Sequence, residues 1–161
     1  IQAAIHIAQH NPNTPLYFLI CGNRPGEEKP FIDMLHGTTA ISKVIFAGYR
    51  NDLPQIMPGC SIGVVASTGW DSFPMSTLEM AASGLPIVVS RLQGLSETLE
   101  DNVTGYTFEP GNSKELAQKL TDLCTNEIVH RDFSHSAVKR IQSSYTVKTQ
   151  FENLLKCLRS I

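Results

Sequence analysis

The sequence lacks three features that would assign it to a broad class of protein at once. Its longest apolar runs, residues 15–22 and 62–66, are far too short to cross a bilayer. It has 13 Lys and Arg against 15 Asp and Glu, a net charge of −2, so nothing indicates nucleic-acid binding. No metal-ligand spacing occurs among the cysteines, which we interpret as reduced thiols of a cytoplasmic protein; they are Cys21, Cys60, Cys124 and Cys157.

A dinucleotide-binding fingerprint is also missing. No G-x-G-x-x-G follows a predicted strand, and residues 22–26 have the wrong glycine spacing, which argues against a dinucleotide-dependent oxidoreductase. The composition is that of an ordinary globular protein, with 42% hydrophobic and 17% charged residues. The chain opens inside a helical pattern at residues 1–8. We therefore expect residues 1–161 to form a single domain that is a fragment of a longer protein.

Helix and strand signals alternate along the chain. Short apolar runs predict strands at residues 16–21, 44–47, 62–66 and 87–90. Helical patterns occur at residues 1–10, 27–36, 52–57, 75–83, 113–126, 130–144 and 147–158. The second of these helices carries acidic residues in its first turn, and Ser113 is the predicted cap of the fifth. This order predicts an α/β domain, with a Rossmann-like, doubly wound parallel sheet and helices on both faces.

Loops at the carboxyl ends of the predicted strands are the expected ligand-binding region, because doubly wound sheets bind ligands there. Four loops follow strands in this sequence: residues 22–26, 48–52, 67–76 and 91–96. We expect all four to converge on one crevice.

The third of these loops and the helix after it carry two acidic residues, Asp71 and Glu79, with seven residues between them. The N-terminus of that helix has unpaired N–H groups and the positive end of the dipole, so it favours anions. Pro74 has no N–H, which leaves Met75 and Ser76 as the better donors. Carboxylates accept hydrogen bonds from sugar hydroxyls. The combination therefore suggests a ligand with both phosphate and sugar.

An ordered series of motifs extends over residues 69–111. After Asp71 and Glu79 come Ser83-Gly84-Leu85-Pro86, Ile87-Val88-Val89, Gly94-Leu95-Ser96-Glu97 and Thr104-Gly105-Tyr106-Thr107-Phe108-Glu109-Pro110-Gly111. This series resembles the C-terminal, donor-binding domain of retaining GT-B glycosyltransferases of the group 1, or family 4, type. The first acidic position is usually Glu in that family, so Asp71 is a departure from its pattern.

The resemblance implies roles for individual residues. Glu79 would hold the ribose hydroxyls and Asp71 would contact the donor sugar, which makes these two the expected catalytic residues. Amides of residues 74–76 would cradle the diphosphate. Tyr49 and Arg50 would line the nucleobase pocket, where Arg50 either stacks on the base or faces solvent. The expected nucleotide-sugar-binding set is Tyr49, Arg50, Ser72, Phe73, Pro74, Met75, Ser76 and Glu79.

The resemblance also implies an activity. A full-length enzyme would transfer a hexose-type sugar from a UDP-, GDP- or ADP-sugar to a glycan, a lipid or another hydroxyl acceptor, with retention of configuration and without a metal or cofactor. The acceptor would bind an N-terminal domain that this sequence does not contain, so we expect the isolated chain to be inactive. The expected location is cytoplasmic, in polysaccharide biosynthesis, with peripheral association at the cytoplasmic face of a membrane as a further option.

Two other functions fit the same residues. A nucleotide-sugar 2-epimerase of GT-B architecture would use the carboxylates for proton transfer, and a Rossmann-like binding domain would bind without catalysis. Individual residues have plainer interpretations too: Glu79 as a solvated carboxylate, Asp71 as a helix cap or a turn residue, and Trp70 as a packing residue rather than a platform for a sugar or base. Gly94 would provide either a turn of positive φ or a close approach of the backbone to a ligand.

Overall fold

The computed structural model describes residues 1–159; residues 160 and 161 of the predicted domain lie outside the described part. Within that range the strands are β1 (Phe18–Cys21), β2 (Val44–Gly48), β3 (Gly63–Val65), β4 (Ile87–Ser90) and β5 (Gly105–Phe108). The α-helices are α1 (Gln2–His10), α2 (Lys29–Leu35), α3 (Leu53–Ile56), α4 (Met75–Ala82), α5 (Gln93–Ser96), α6 (Ser113–Thr125), α7 (Glu127–Ser144) and α8 (Val147–Arg159). Segments of 3₁₀ helix, Thr39–Lys43 and Met57–Gly59, precede β2 and β3.

The strand pairs are parallel, which confirms the predicted α/β class. β1 pairs with β2, and β4 lies between β3 and β5, with Val88 opposite both Val64 and Tyr106. Among residues 1–159 the hydrogen bonds define two sheets, β1-β2 and β3-β4-β5, rather than the single sheet that we expected. The two sheets still share a core, because Phe18 in β1 and Ile62 just before β3 pack against the same hydrophobic cluster.

The central strand, β4, is buried on both faces. All four of its residues are buried, and consecutive side chains of a strand point to opposite sides of the sheet. Val88 packs in a cluster with Ile7 of α1, whereas Val89 packs in a different cluster with Leu95 of α5. Helices therefore lie on both faces of this sheet, as the continuous apolar run of β4 predicts.

The sequence pattern does not predict β5, which lies in a stretch containing two glycines and a proline, residues 104–111. In the structure Gly105 pairs with Ile87, and the Thr107 N–H donates to Asp101 Oδ1 over 2.7 Å. Pairing with a buried neighbouring strand therefore outweighs local preference in this segment.

Helix α2 begins two residues later than predicted, at Lys29. Glu27 accepts a hydrogen bond from the Arg24 N–H and Glu28 from the Gly26 N–H, so both carboxylates stabilise the turn before the helix. The prediction of acidic residues in the first turn of this helix is wrong.

Asparagines cap the two helices after β5. The predicted cap Ser113 is wrong, because the Asn112 side chain accepts from the Glu115 N–H over 3.1 Å at the start of α6. The Asn126 side chain accepts from the Val129 N–H in the same way. That second cap starts α7 three residues earlier than the predicted start at residue 130.

Helix α8 has an apolar stripe that the rest of the described chain does not cover. Val147, Phe151, Leu154 and Leu158 follow one another at helical spacing and are 55–84% exposed.

Among residues 1–159, no helix has both the length and the apolar character that a membrane crossing requires.

Candidate functional site

Loop 67–76 connects β3 to α4 and carries the first acidic residue of the motif. Asp71 accepts a hydrogen bond from Ser67 Oγ on its Oδ2 over 2.9 Å. Asp71 does not cap α4, because the residue at the N-cap position is Pro74 and no side chain there makes a capping hydrogen bond. The bond from Ser67 instead fixes the carboxylate at the carboxyl end of β3.

The N-terminus of α4 has two free donors. The Thr77 N–H donates to the Pro74 carbonyl and the Thr77 hydroxyl donates to the same oxygen. Within residues 1–159 the N–H groups of Met75 and Ser76 have no acceptor. Because the helix dipole places partial positive charge at the same end, these two N–H groups form a site suited to an anion.

Glu79 lies one turn further along α4. Its side chain is exposed, and no described residue pairs with its carboxylate. Residues three and four positions apart share one side of a helix. Glu79 therefore lies on the same side of α4 as Met75 and Ser76, and its carboxylate is free to accept hydrogen bonds.

Gly94 in α5 lies against the backbone of loop 67–76. A Cβ atom on Gly94 would lie 1.1 Å from the Ser72 carbonyl oxygen and 2.7 Å from that of Asp71. Gly94 does not have a positive φ. The predicted turn of positive φ is therefore wrong. The close approach in the structure is to the chain's own backbone, and an approach to a ligand stays a prediction.

A cavity of about 280 Å³ lies where this loop meets α5, lined by Trp70, Asp71, Ser72, Gln93, Gly94 and Glu97. Trp70 is 86% exposed, so it is not a core residue. An aromatic face beside carboxylate and amide groups is suited to a sugar. A second cavity, of about 300 Å³, lies at the opposite, amino ends of β1 and β3, beside Ser61 and Ile62.

Tyr49 and Arg50 lie on the loop after β2. Tyr49 is 82% exposed. Arg50 makes an ion pair with Asp52 through two hydrogen bonds. The hydrogen bonds with the carboxylate raise the pKa of Arg50, and the same contact lowers the pKa of Asp52. Arg50 is thus exposed to solvent and paired with a neighbour on its own loop. Its stacking on a base stays a prediction.

The four loops after the strands meet in two pairs. Asn23 on the first loop accepts a hydrogen bond from the Gly48 N–H over 3.1 Å, which joins the loops after β1 and β2. Gly94 and Ser72 join the loops after β3 and β4. Among the described residues no hydrogen bond, ion pair or ring contact links one pair to the other. We predicted that all four loops converge on one crevice. In the structure the loops after β1 and β2 meet each other, and so do the loops after β3 and β4.

Two residues of α7 and the segment after it contact this region and were not indicated by the sequence. Arg140 and Tyr145 both donate hydrogen bonds to the Glu97 carbonyl, and the Tyr145 ring lies 6.0 Å from the Phe73 ring. No motif or spacing marks them, because they lie far along the chain from residues 71–79.

The site has no visible arrangement for a metal ion. Within residues 1–159, no group of three or more His, Cys, Asp and Glu side chains is placed to hold one. Arg91, which borders the predicted crevice, pairs with Glu109 beyond β5. The ligand groups that the site does offer are backbone N–H donors, carboxylate acceptors and an exposed aromatic ring.

Comparison with known proteins identifies a family. A family profile described as "Glycosyl transferases group 1" matches residues 1–126. The N,N'-diacetylbacillosaminyl-diphospho-undecaprenol alpha-1,3-N-acetylgalactosaminyltransferase of Campylobacter jejuni is 29% identical over 122 residues, which are 76% of this chain and 31% of that protein. The chain spans about a third of the length of the first curated relatives that it matches.

Solved structures show the same fold. HepE of Anabaena, in complex with UDP, superposes with a TM-score of 0.80 at 24% identity, over 99% of this chain and 44% of HepE. The C-terminal domain of a glycosyl transferase group 1 family protein from Francisella tularensis superposes with a TM-score of 0.79 at 21% identity, over 91% of this chain and 77% of that domain.

Proposed function

The chain belongs to the group 1 glycosyl transferases, and we propose that it binds the nucleotide-sugar donor of such an enzyme. One observation carries the proposal: the free N–H groups of Met75 and Ser76 lie one helical turn from the unpaired carboxylate of Glu79. The N–H groups suit a diphosphate and the carboxylate suits the two ribose hydroxyls. The match to a C-terminal domain from Francisella tularensis supports the same position in a longer protein.

The donor sugar would occupy the cavity beside Trp70 and Asp71. In that position its anomeric carbon faces the diphosphate held at the start of α4. Breakage of the glycosidic bond leaves negative charge on the diphosphate, and donors already aimed at that charge lower the barrier. We propose transfer of a hexose-type sugar to a hydroxyl acceptor with retention of configuration, the acceptor being bound by another part of a full-length enzyme.

UDP is the nucleotide that we propose. HepE of Anabaena was solved with UDP and with UDP-glucose, and its fold matches 99% of this chain. In this proposal the exposed Tyr49 and the loop around it receive the base. No divalent metal takes part, so EDTA should leave UDP affinity unchanged.

The site of action that we propose is cytoplasmic, in the assembly of polysaccharide at a membrane face. The name of the Campylobacter jejuni relative specifies a diphospho-undecaprenol compound, and such compounds reside in membranes. Peripheral association of a full-length protein with that membrane is part of the proposal.

Calorimetric titration with UDP, GDP and ADP tests the donor site. Glu79→Ala should weaken UDP binding roughly tenfold to a hundredfold, the effect of losing a charge-assisted hydrogen bond worth about 1.5–3 kcal/mol. Thermal stability should be unchanged because Glu79 is exposed. Glu152→Ala is the matched control, since Glu152 is another exposed glutamate in a helix.

Each other outcome contradicts part of the proposal. Equal UDP affinity in wild type and Glu79→Ala would place the nucleotide elsewhere. Absence of UDP binding at millimolar concentration would favour a binding domain for another ligand. Release of free UDP from a UDP-sugar without any acceptor would favour the 2-epimerase.

A further inference from the structure

The C-terminal end of α7 contacts the turn that follows α5. The Glu97 carbonyl accepts one hydrogen bond from Arg140 Nη2 over 3.1 Å and another from the Tyr145 hydroxyl over 3.0 Å. Arg140 Nη2 also donates to the Tyr145 oxygen over 3.2 Å, and the guanidinium lies 5.5 Å from the Tyr145 ring centre. Arg140 and Tyr145 thus act as one unit on a single backbone oxygen.

That backbone oxygen lies at the C-terminus of α5, whose last carbonyls lack partners within so short a helix. Two donors on it fix the position of α5 relative to α7. Because Gly94 of α5 is packed directly on the Ser72 backbone, any shift of α5 is transmitted to loop 67–76. Arg140 and Tyr145 therefore act on the loop through α5.

The same tyrosine contacts the loop directly. The rings of Phe73 and Tyr145 have centres 6.0 Å apart and are tilted by 40°, a geometry in which aromatic rings attract each other. Loop 67–76 is held at Ser72 by Gly94 and at Phe73 by Tyr145. Both contacts lie just before Met75 and Ser76, whose free N–H groups form the anion site.

Arg140 has a buried donor that the contacts above do not use. Its Nε is buried, and none of the described residues accepts from it. An unpaired buried donor is unfavourable, so Arg140 is not explained by stability alone. Its side chain places Nη2 between the Glu97 carbonyl and the Tyr145 hydroxyl.

We propose that Arg140 and Tyr145 are positioning residues that hold loop 67–76 in the conformation that binds the nucleotide diphosphate. The identity of the ligand rests on the proposed function, whereas the role of the two residues in holding loop 67–76 does not. It predicts that the loop moves when either hydrogen bond to Glu97 is removed, with or without a nucleotide present.

Trp70 gives a direct readout of the loop, because it is the single Trp of the chain and lies within residues 67–76. We would record Trp70 emission and its quenching by acrylamide, without nucleotide, in Tyr145→Phe and Arg140→Met. Tyr145→Phe keeps the ring on Phe73 and removes only the hydroxyl. Each variant removes one of the two hydrogen bonds to the Glu97 carbonyl together with the bond between Arg140 and Tyr145. Both should change the quenching of Trp70 and weaken UDP binding roughly threefold to tenfold, about the net contribution of a single hydrogen bond, because one donor still holds the Glu97 carbonyl.

Two further variants separate positioning from general stability. Asn126→Ala removes the cap at the opposite end of α7 and should lower the melting temperature without changing Trp70 quenching or UDP affinity. Arg140→Lys keeps a charged donor group and should restore part of the UDP affinity that Arg140→Met loses.

The outcomes distinguish this inference from the proposed function. Wild-type quenching in both Tyr145→Phe and Arg140→Met would overturn the positioning role, whatever the nucleotide result. Changed quenching in a chain whose wild type does not bind UDP would uphold the role of the two residues in holding the loop and overturn the donor site. An equal effect of Asn126→Ala on quenching would also overturn the positioning role, because it would show a response to stability alone.

Discussion

The loops after β1 and β2 are held together by hydrogen bonds, whereas the loops after β3 and β4 are held together by direct packing of one backbone on the other. In the first pair, the Gly22 N–H donates to the Gly48 carbonyl over 2.8 Å and the Gly48 N–H donates to Asn23 Oδ1 over 3.1 Å. In the second pair, Gly94 lies so close to Ser72 that no Cβ fits between them. The two pairs of loops therefore differ in how rigidly their backbones are held.

This difference matches the parts of the ligand that we assign to each pair. Hydrogen bonds can lengthen or exchange, so the first pair can adjust to a base. Contact between two backbones leaves no such freedom, since packed interiors resist displacement. A diphosphate held by N–H groups needs that precision, because binding groups must be placed to within about 0.5 Å.

Gly94→Ala should have the largest effect. The new Cβ would lie 1.1 Å from the Ser72 carbonyl oxygen, so one of the two backbones must move. A misplacement of about 1 Å can cost a hundredfold in reaction rate at an active site, and we expect a comparable fall in UDP affinity. The loss of stability should reach at least the roughly 1–3 kcal/mol of ordinary overpacking. Calorimetry and thermal unfolding measure the two effects.

Gly22→Ala is the matched control in the other pair of loops. No heavy atom lies within 4 Å of a Cβ at Gly22, although its φ is +100°. The substitution should therefore strain the backbone locally without moving loop 67–76. Equal losses of UDP affinity in the two alanine variants would contradict the distinction between the two pairs.

Asn23→Ala should have a smaller effect. It removes the acceptor of the Gly48 N–H and the donor to Glu28, and we expect a stability loss of about 1 kcal/mol for the partly buried bond to Gly48. UDP affinity should fall only a few-fold, because the loop can relax. Urea unfolding and calorimetry provide the measurements. A loss of UDP affinity as large as that of Gly94→Ala would show that the first pair is equally rigid.

Glu28→Gln should have the smallest effect, visible only in acid. Hydrogen bonds from its own N–H and from the Gly26 N–H help to lower the pKa of Glu28. A carboxyl with a lowered pKa in the folded state stabilises the protein above its unfolded-state pKa, and that stabilisation is lost as pH falls through the folded-state pKa. The melting temperature of Glu28→Gln should therefore fall less than that of wild type below about pH 4.5. Parallel curves for the two proteins would contradict this account.

The sequence allowed the α/β class and the family to be predicted, and both are confirmed. Periodicity located α4 and β4 because both are buried regular elements, for which pattern and burial agree. It did not locate β5, which depends on pairing with β4, nor the start of α2, where Glu27 and Glu28 bind the preceding turn. Neither the pairing of β5 with β4 nor the hydrogen bonds of Glu27 and Glu28 can be predicted from the local pattern of apolar and polar residues.

The residues of the candidate site were likewise predicted only in part from the sequence. The motif identified Asp71, Glu79 and the start of α4 directly, and their binding roles stay predictions. The contacts of Arg140 and Tyr145 with Glu97 join residues more than forty positions apart. Such contacts depend on how α7 packs, and nothing in the local sequence of either segment specifies them. The free N–H groups at Met75 and Ser76 were expected from the predicted start of α4 and from Pro74, which has no N–H of its own.

Because backbone N–H groups form the proposed site, an NMR titration that observes those N–H groups tests it most directly. With ¹⁵N-labelled protein, UDP should shift the amide signals of Met75 and Ser76 in a saturable way. The amides of Ser61 and Ile62, beside the cavity at the opposite ends of the strands, should shift little. Saturable shifts centred on Ser61 and Ile62, with Met75 and Ser76 unmoved, would contradict a nucleotide site at the N-terminus of α4.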